Sequence, residues 1–261
     1  MLNVSGVEFS YGAKSLLSDI NLTCRPGEIV GIVGPSGCGK STLAKLTAGV
    51  LKPQNGEIHI GGAQVLDAAR RQEVGFLQQG AEGLLPFLTV YANTAMPILV
   101  RKGKLLIRGL DFSDRRRCVR AMRTARIDHA SRSRPEHLSG GMRARALIAR
   151  ALAQSPKILI MDESFSGIDE AMCEQLYIDM ERFVKKLGLV CLLISHRLSE
   201  IVFLCDYVHV FERCPLGDGY TLGDPLQITL PRPRSIEMFG DPEFARFTGL
   251  LRSRIVKLGT E

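Results

Sequence analysis

Gly34-Pro35-Ser36-Gly37-Cys38-Gly39-Lys40-Ser41 is the stretch whose residue types and spacing carry the most chemistry. Its glycines permit backbone angles that turn successive N–H groups inward, which makes an anion nest at the start of a helix. Lys40 adds a point charge suited to the β- and γ-phosphates of a nucleotide. The Ser41 hydroxyl is the expected magnesium ligand, and Thr42 follows in the same turn. The spacing is that of G-x-x-x-x-G-K-[ST], and the pattern is specific when a strand precedes it and a helix follows.

Two more groups extend this chemistry. Leu138-Ser139-Gly140-Gly141-Met142 runs directly into an Arg/Ala-rich stretch with helical character. Ser139 is a good N-cap, and Gly140 and Gly141 leave backbone N–H groups accessible, so this is a second anion site. Residues 158–163 form an apolar run ending in Asp162 and Glu163. Asp162 can hold magnesium through water, and Glu163 can orient or deprotonate an attacking water. Taken singly these two signals are weak. In this order and this close together they are strong.

These residues need strands and helices to hold them. Residues 2–11 and 16–24 alternate as half-buried strands, and 29–33 is a short apolar run that leads into the glycine loop. A turn at 52–56 precedes expected strands at 57–60 and 73–77. From Gln78 to about Gln154 helical patterns dominate. Strand and helix then alternate: strands at 157–161, 189–195 and 207–211, helices at 170–187 and 197–205. The plan is α/β, with a helical block set between two α/β halves. The tail from Pro231 is Pro-rich and basic and is expected to lie at the periphery.

The composition narrows the class. An apolar share of 45% is ordinary for a globular core. No basic, apolar and small-residue sequence opens the chain as an export signal would. The uncharged run at 83–100 carries Pro86, Asn93, Thr94 and Pro97, which argues against a membrane span and for a loop followed by a packed helix. The seven cysteines lie singly with no C-x-x-C pair, so neither a zinc site nor a disulfide framework is indicated. Cys38 lies inside the glycine loop, where a small filler residue is the simpler reading. The net charge is +7, and thirteen arginines fall between Arg101 and Arg150. Arg117, Arg120, Arg123 and Arg126 recur at near-helical spacing. Without interleaved aromatic residues this reads as a solvated helix face, and nucleic acid is not expected as a partner.

With these markers in order, the chain resembles the ATP-binding subunits of ABC transporters over essentially its whole length. The resemblance implies a P-loop NTPase core with an antiparallel β subdomain and an inserted helical subdomain. The ATP-binding core would cover 1–79 and 156–230, the helical subdomain with the signature motif 80–155, and a tail 231–261. It further implies that Tyr11 stacks on adenine and that Gln79 senses magnesium and contacts a membrane subunit. Ser166-Gly167-Ile168-Asp169 would cross a dimer interface, where Asp169 approaches nucleotide. His196 would be a switch at the γ-phosphate. Four residues at three sites depart from the family's usual ones: Ser164, Gly167-Ile168 and Met142. None removes a group that touches phosphate or metal.

The same resemblance implies a nucleotide sandwich, in which two copies face each other with ATP and Mg2+ between the phosphate loop of one and the Leu138–Met142 motif of the other. The expected function is the ATP-hydrolysing subunit of an importer, peripheral on the inner face of the cell membrane. Its partners would be transmembrane permease subunits and, indirectly, a solute-binding protein. Residues 82–87, the Gly-Gly-Met ending and the Pro/Arg tail are similar to the nitrate, sulfonate and taurine importer branch. The uncharged surface at 84–88 is a candidate contact for the permease. Two alternatives stand beside this reading: a lipid-moving ABC ATPase, and a soluble ABC ATPase such as a cofactor-assembly factor.

Overall fold

A computed structural model of the chain describes residues 1–67, 73–78, 83–104, 106–215 and 218–259. The first elements are β1 (Leu2–Tyr11), β2 (Lys14–Cys24), β3 (Ile29–Val33), α1 (Lys40–Thr47), β4 (Asn55–Ile60), β5 (Ala63–Gln64) and β6 (Val74–Leu77). Three helices follow: α2 (Val90–Arg101), α3 (Phe112–Thr124) and α4 (Gly140–Leu152). The chain then returns through β7 (Ile158–Asp162), α5 (Glu170–Leu187), β8 (Val190–Ile194) and α6 (Leu198–Leu204). It ends with β9 (Tyr207–Arg213), β10 (Tyr220–Leu222), β11 (Leu226–Gln227) and α7 (Pro242–Gly259). The expected strands and helices are present, with ends shifted by a few residues.

The strands lie in the order β5-β4-β1-β2-β10-β9-β3-β8-β7-β6, with β11 beside β9. One side is antiparallel, since β1 pairs β2 and β4 in that sense. The other is parallel: β3 pairs β8 and β9, and β7 pairs β8 and β6. Every residue of β3, β7 and β8 is buried, as a strand covered on both faces requires. Side chains alternate between the faces. Ile29 and Val33 join the helices on one side, while Val30 and Ile32 face α1 and the antiparallel strands on the other.

Helices α2, α3 and α4 share one apolar seam that includes Ile98, Cys118, Met122 and Leu147. Asp111 and Asp114 form a reciprocal capping box at the start of α3. Lys102 pairs with both carboxylates. Asn93 is wholly buried on α2. Its side chain accepts from the Leu85 N–H at 2.8 Å and donates toward the carbonyls of Leu85, Leu88 and Thr89, which pins the preceding loop. Among the described residues no helix is long and apolar enough to cross a membrane.

Two expectations need correction. The arginine row of α3 stops short: the helix ends at Thr124, and Arg126 turns into the left-handed region with φ 56°. Its guanidinium pairs with the buried Asp179 at 3.1 Å. The tail is also not peripheral. Arg234 is buried, and its guanidinium donates to the carbonyls of Val202, Phe203 and Cys205 at 2.7–3.0 Å. These are orphan carbonyls at the C-terminus of α6, where a cation is doubly suited. Arg232 bonds Asp206 and Glu181, and Phe244, Phe247 and Leu251 of α7 enter the core. Arg232 and Arg234, in a tail expected at the periphery, are therefore internal caps.

Candidate nucleotide site

The glycine loop joins β3 to α1, and two of its glycines have a steric reason. Gly34 packs so closely on β9 that a Cβ would lie 2.8 Å from the Phe211 Cβ. Gly39, the N-cap of α1, has φ 104°, and a Cβ there would meet Leu17 at 2.6 Å. No side chain caps α1 and its first turn holds no acid. The first N–H groups are thus left for an anion. Lys40 folds back, donating to the carbonyls of Gly34 and Pro35 at 2.9 and 2.8 Å. Ser36, Gly37 and Ser41 are exposed, whereas Cys38 is fully buried. Burial pushes the Cys38 thiol up, against the pull of Lys40. Cys38 therefore fills space beneath the loop, with Lys40 Nζ 3.9 Å from its Sγ.

Tyr11 ends β1 beside this loop. Its ring is 55% exposed and rests edge-on against Phe9, and its hydroxyl lies 3.5 Å from that of Thr42. An exposed aromatic face next to the start of α1 suits a nucleobase.

Parallel β7 ends in Asp162, one strand beyond β8 and two from β3. Asp162 is 6% exposed, and its Oδ1 has no hydrogen-bond partner. Burial raises its pKa, while the nearby Ser41 hydroxyl lowers it and Glu163 raises it further. A buried carboxylate oxygen left over beside a serine hydroxyl is what a hard divalent cation uses, so these residues fit magnesium. Glu163 has φ 49°, an uncommon angle for a non-glycine residue, held by its N–H donating to the Ile194 carbonyl at 2.9 Å. His196 follows β8, and its Nδ1 lies 3.5 Å from Glu163 Oε2. The parallel register of β7 and β8 thus brings Glu163 and His196 together.

Sequence reasoning missed the support beneath these groups. The Ser164 hydroxyl donates to the Leu77 carbonyl at 3.2 Å, tying the end of β7 to the end of β6. Ser195 donates to Glu200 at 2.6 Å and accepts from the Arg197 N–H at 3.1 Å. Glu200 is almost fully buried, and burial pushes its pKa up to about 7 against the hydrogen bond from Ser195. The signal for Ser164 was its departure from the usual proline. Arg197 and Glu200 carried none.

Ser139 caps α4, accepting from the Met142 N–H at 3.3 Å. Ser139 and Gly140 are exposed, and the space around Gly140 is open, while Gly141 sits against Met172 of α5. Hydrogen bonds among the described residues do not join this turn to the glycine loop of the same chain. Gly167, with φ 78°, and Asp169 are exposed, and Ile168 is buried. Gln79 lies outside the described residues. In the loop at 84–88, Leu84 is buried and Phe87 is 68% exposed, and Arg150 of α4 donates to the Gly83 carbonyl.

Similarity to known proteins agrees with this arrangement. The family described as ABC transporter matches residues 17–166. The chain is 32% identical over 266 residues to the taurine import ATP-binding protein TauB of Escherichia coli O157:H7, covering 98% of this chain and 97% of the relative. It is 31% identical over 233 residues to the aliphatic sulfonates import ATP-binding protein SsuB 1 of Shouchella clausii, covering 89% and 83%. Its fold is similar to that of MJ0796, a bacterial ABC transporter cassette solved as a dimer, with a TM-score of 0.71 at 25% identity, over 88% of this chain and all of the other. Loop, carboxylate pair, capped glycine turn and sequence similarity agree: the chain belongs to the ABC transporter family, as an ATPase subunit.

Proposed function

We infer that this chain binds and hydrolyses MgATP as one half of a nucleotide-sandwich dimer, and that it energises an importer of a small anionic or organic solute through permease subunits. The observation that carries the reading is the convergence of Lys40, Ser41, Asp162, Glu163 and His196 at the C-terminal ends of neighbouring parallel strands. Ligands of open α/β sheets bind at that edge. The import direction and solute class rest on similarity to the taurine and sulfonate proteins.

Each residue has a distinct part. The loop N–H groups and the N-terminus of α1 hold the phosphates, and Lys40 exchanges its two loop carbonyls for phosphate oxygens. Tyr11 stacks on the base. Ser41 and Asp162, with Gln79, hold magnesium, which when bound offsets charge on the phosphate oxygens. Glu163 orients a water and draws its proton, and His196 steadies Glu163 and the γ-phosphate from beside it. The exposed turn Ser139–Gly141 of the partner completes the cage, with Asp169 near it, so charge that one donor set leaves over is met by a second helix N-terminus.

A helical block at 80–155 would carry the cycle to the permease, through Gln79 and the surface around Phe87. The contact of Arg150 with Gly83 supports that route, because α4 starts at the signature turn and ends against this loop. Attachment to permease subunits would hold the chain at the inner face of the cell membrane. Isothermal titration with ATP checks the site: Lys40→Ala should lose nucleotide binding by about a hundredfold or more, in keeping with two charge-assisted hydrogen bonds. Unchanged affinity would refute the assigned loop.

A further inference from the structure

Helices α3 and α5 flank a groove of about 1240 Å³ that the nucleotide chemistry does not use. Its walls carry Arg116, Arg117, Arg120 and Arg123 from α3, and Arg182 and Lys186 from α5. Asp179 is the acid that lines it, and that carboxylate is already held by Arg126 at 3.1 Å and Arg145 at 2.7 Å. Arg123 reaches Asp128 only at 3.9 Å. Arg116, Arg117, Arg120, Arg182 and Lys186 have no carboxylate within ion-pair distance among the described residues. Five uncompensated cations facing one space repel one another, and an anion filling that space removes the repulsion.

The groove is not simply polar. Val119, Phe183 and Leu187 form apolar parts of its lining, and Phe112 stands at its edge 75% exposed, with the Arg116 guanidinium 5.7 Å from its ring centre. A planar bilayer cannot fill a concave space between two helices. A nucleic-acid strand needs several rings to stack on, and Phe112 is the one strongly exposed ring of this lining. A polypeptide with carboxylates on its flanks and apolar residues along one stripe meets both features. We propose that this groove docks an acidic amphipathic segment of a partner protein, bridging α3 of the helical block and α5 of the sheet-covering layer. A segment held there would couple those two elements. The proposal is independent of how the chain handles nucleotide.

The test is fluorescence anisotropy with the full chain and a labelled synthetic helix of about 14 residues, the length that spans α3 at 1.5 Å per residue. In this probe glutamates flank a single leucine stripe. The expected result is saturable binding that falls steeply with salt. It should weaken about tenfold or more in Arg120→Glu/Arg182→Glu and in Lys186→Glu, and fall again in Val119→Asp, with circular dichroism and basal ATPase unchanged. The same composition with leucines spread round the helix should bind several-fold more weakly. No binding by the striped peptide, equal binding by the scrambled one, or insensitivity to the charge reversals would overturn the proposal. So would equal or tighter binding of an oligothymidine strand, or of phosphatidylglycerol vesicles, that the same reversals abolish.

Discussion

The Arg197 guanidinium donates to the backbone carbonyl of Ile168 at 3.3 Å, so the residue following His196 is tied to the turn 166–169. The same guanidinium reaches Cys173 Sγ at 3.6 Å, and the Arg197 N–H bonds Ser195. With His196 3.5 Å from Glu163, one continuous set of contacts runs from the carboxylate to the turn assigned to the dimer interface. In the proposed sandwich these two loops would respond to the same phosphate, and the contacts hold them in one geometry.

Arg197→Ala should therefore slow ATP turnover by about tenfold, the worth of one hydrogen bond from a charged group. ATP affinity should hardly change, because Arg197 touches none of the phosphate-binding groups. Steady-state kinetics paired with equilibrium binding separates the two. A KM or Kd effect with unaltered kcat would point instead to disruption of the site as a whole.

Glu200 supplies a pH test. Its pKa is raised from 4.5 to about 7 by burial. The folded chain then keeps a proton that the unfolded chain gives up above about 4.5, so folding stability is full below that pH and declines as pH rises toward 7. Above 7 both states are ionised and the loss is complete. Urea unfolding at several pH values should show a steeper decline for the native chain than for Glu200→Gln, which cannot titrate. Parallel slopes would show that Glu200 does not carry the shift.

The tail arginine makes a stability prediction. Removing Arg234 leaves three buried carbonyls at the end of α6 without a donor, together with a cavity. Arg234→Met should cost about 3–5 kcal/mol, the range for breaking a buried charged network. Thermal unfolding followed by circular dichroism measures it. A change under about 1 kcal/mol, typical of exposed residues, would mean the tail is not anchored as described.

Ser164→Ala tests the tie between β7 and β6. It removes one buried hydrogen bond to Leu77. The expected cost is about 1–2 kcal/mol, seen as a melting temperature lower by a few degrees. No shift would mean that the bond adds nothing beyond what water supplies.

The strand-loop-helix around Lys40, the carboxylates closing β7 and the Ser139 cap were legible because local chemistry dictates each. An apolar run, a turn needing glycine and a helix start with its cap are written in consecutive residues. Arg232 and Arg234 were not legible. Their partners, Glu181 and the carbonyls of residues 202–205, lie some 30 to 50 positions away in the sequence, and arginine beside proline reads as solvated. The role of Ser164 was hidden for the same reason, since Leu77 is 87 residues distant. Arg126 continued a helical spacing that the left-handed turn after Thr124 interrupts.

In the proposed sandwich a triphosphate is caged by two half-sites on two copies. Gel filtration of Glu163→Gln in saturating MgATP tests it most directly, since a variant without the proposed base should bind ATP and not complete hydrolysis. Elution as a dimer is expected, reverting to monomer when Ser139→Arg is added, with ATP still bound. A Glu163→Gln chain that holds ATP tightly yet elutes as a monomer would contradict it.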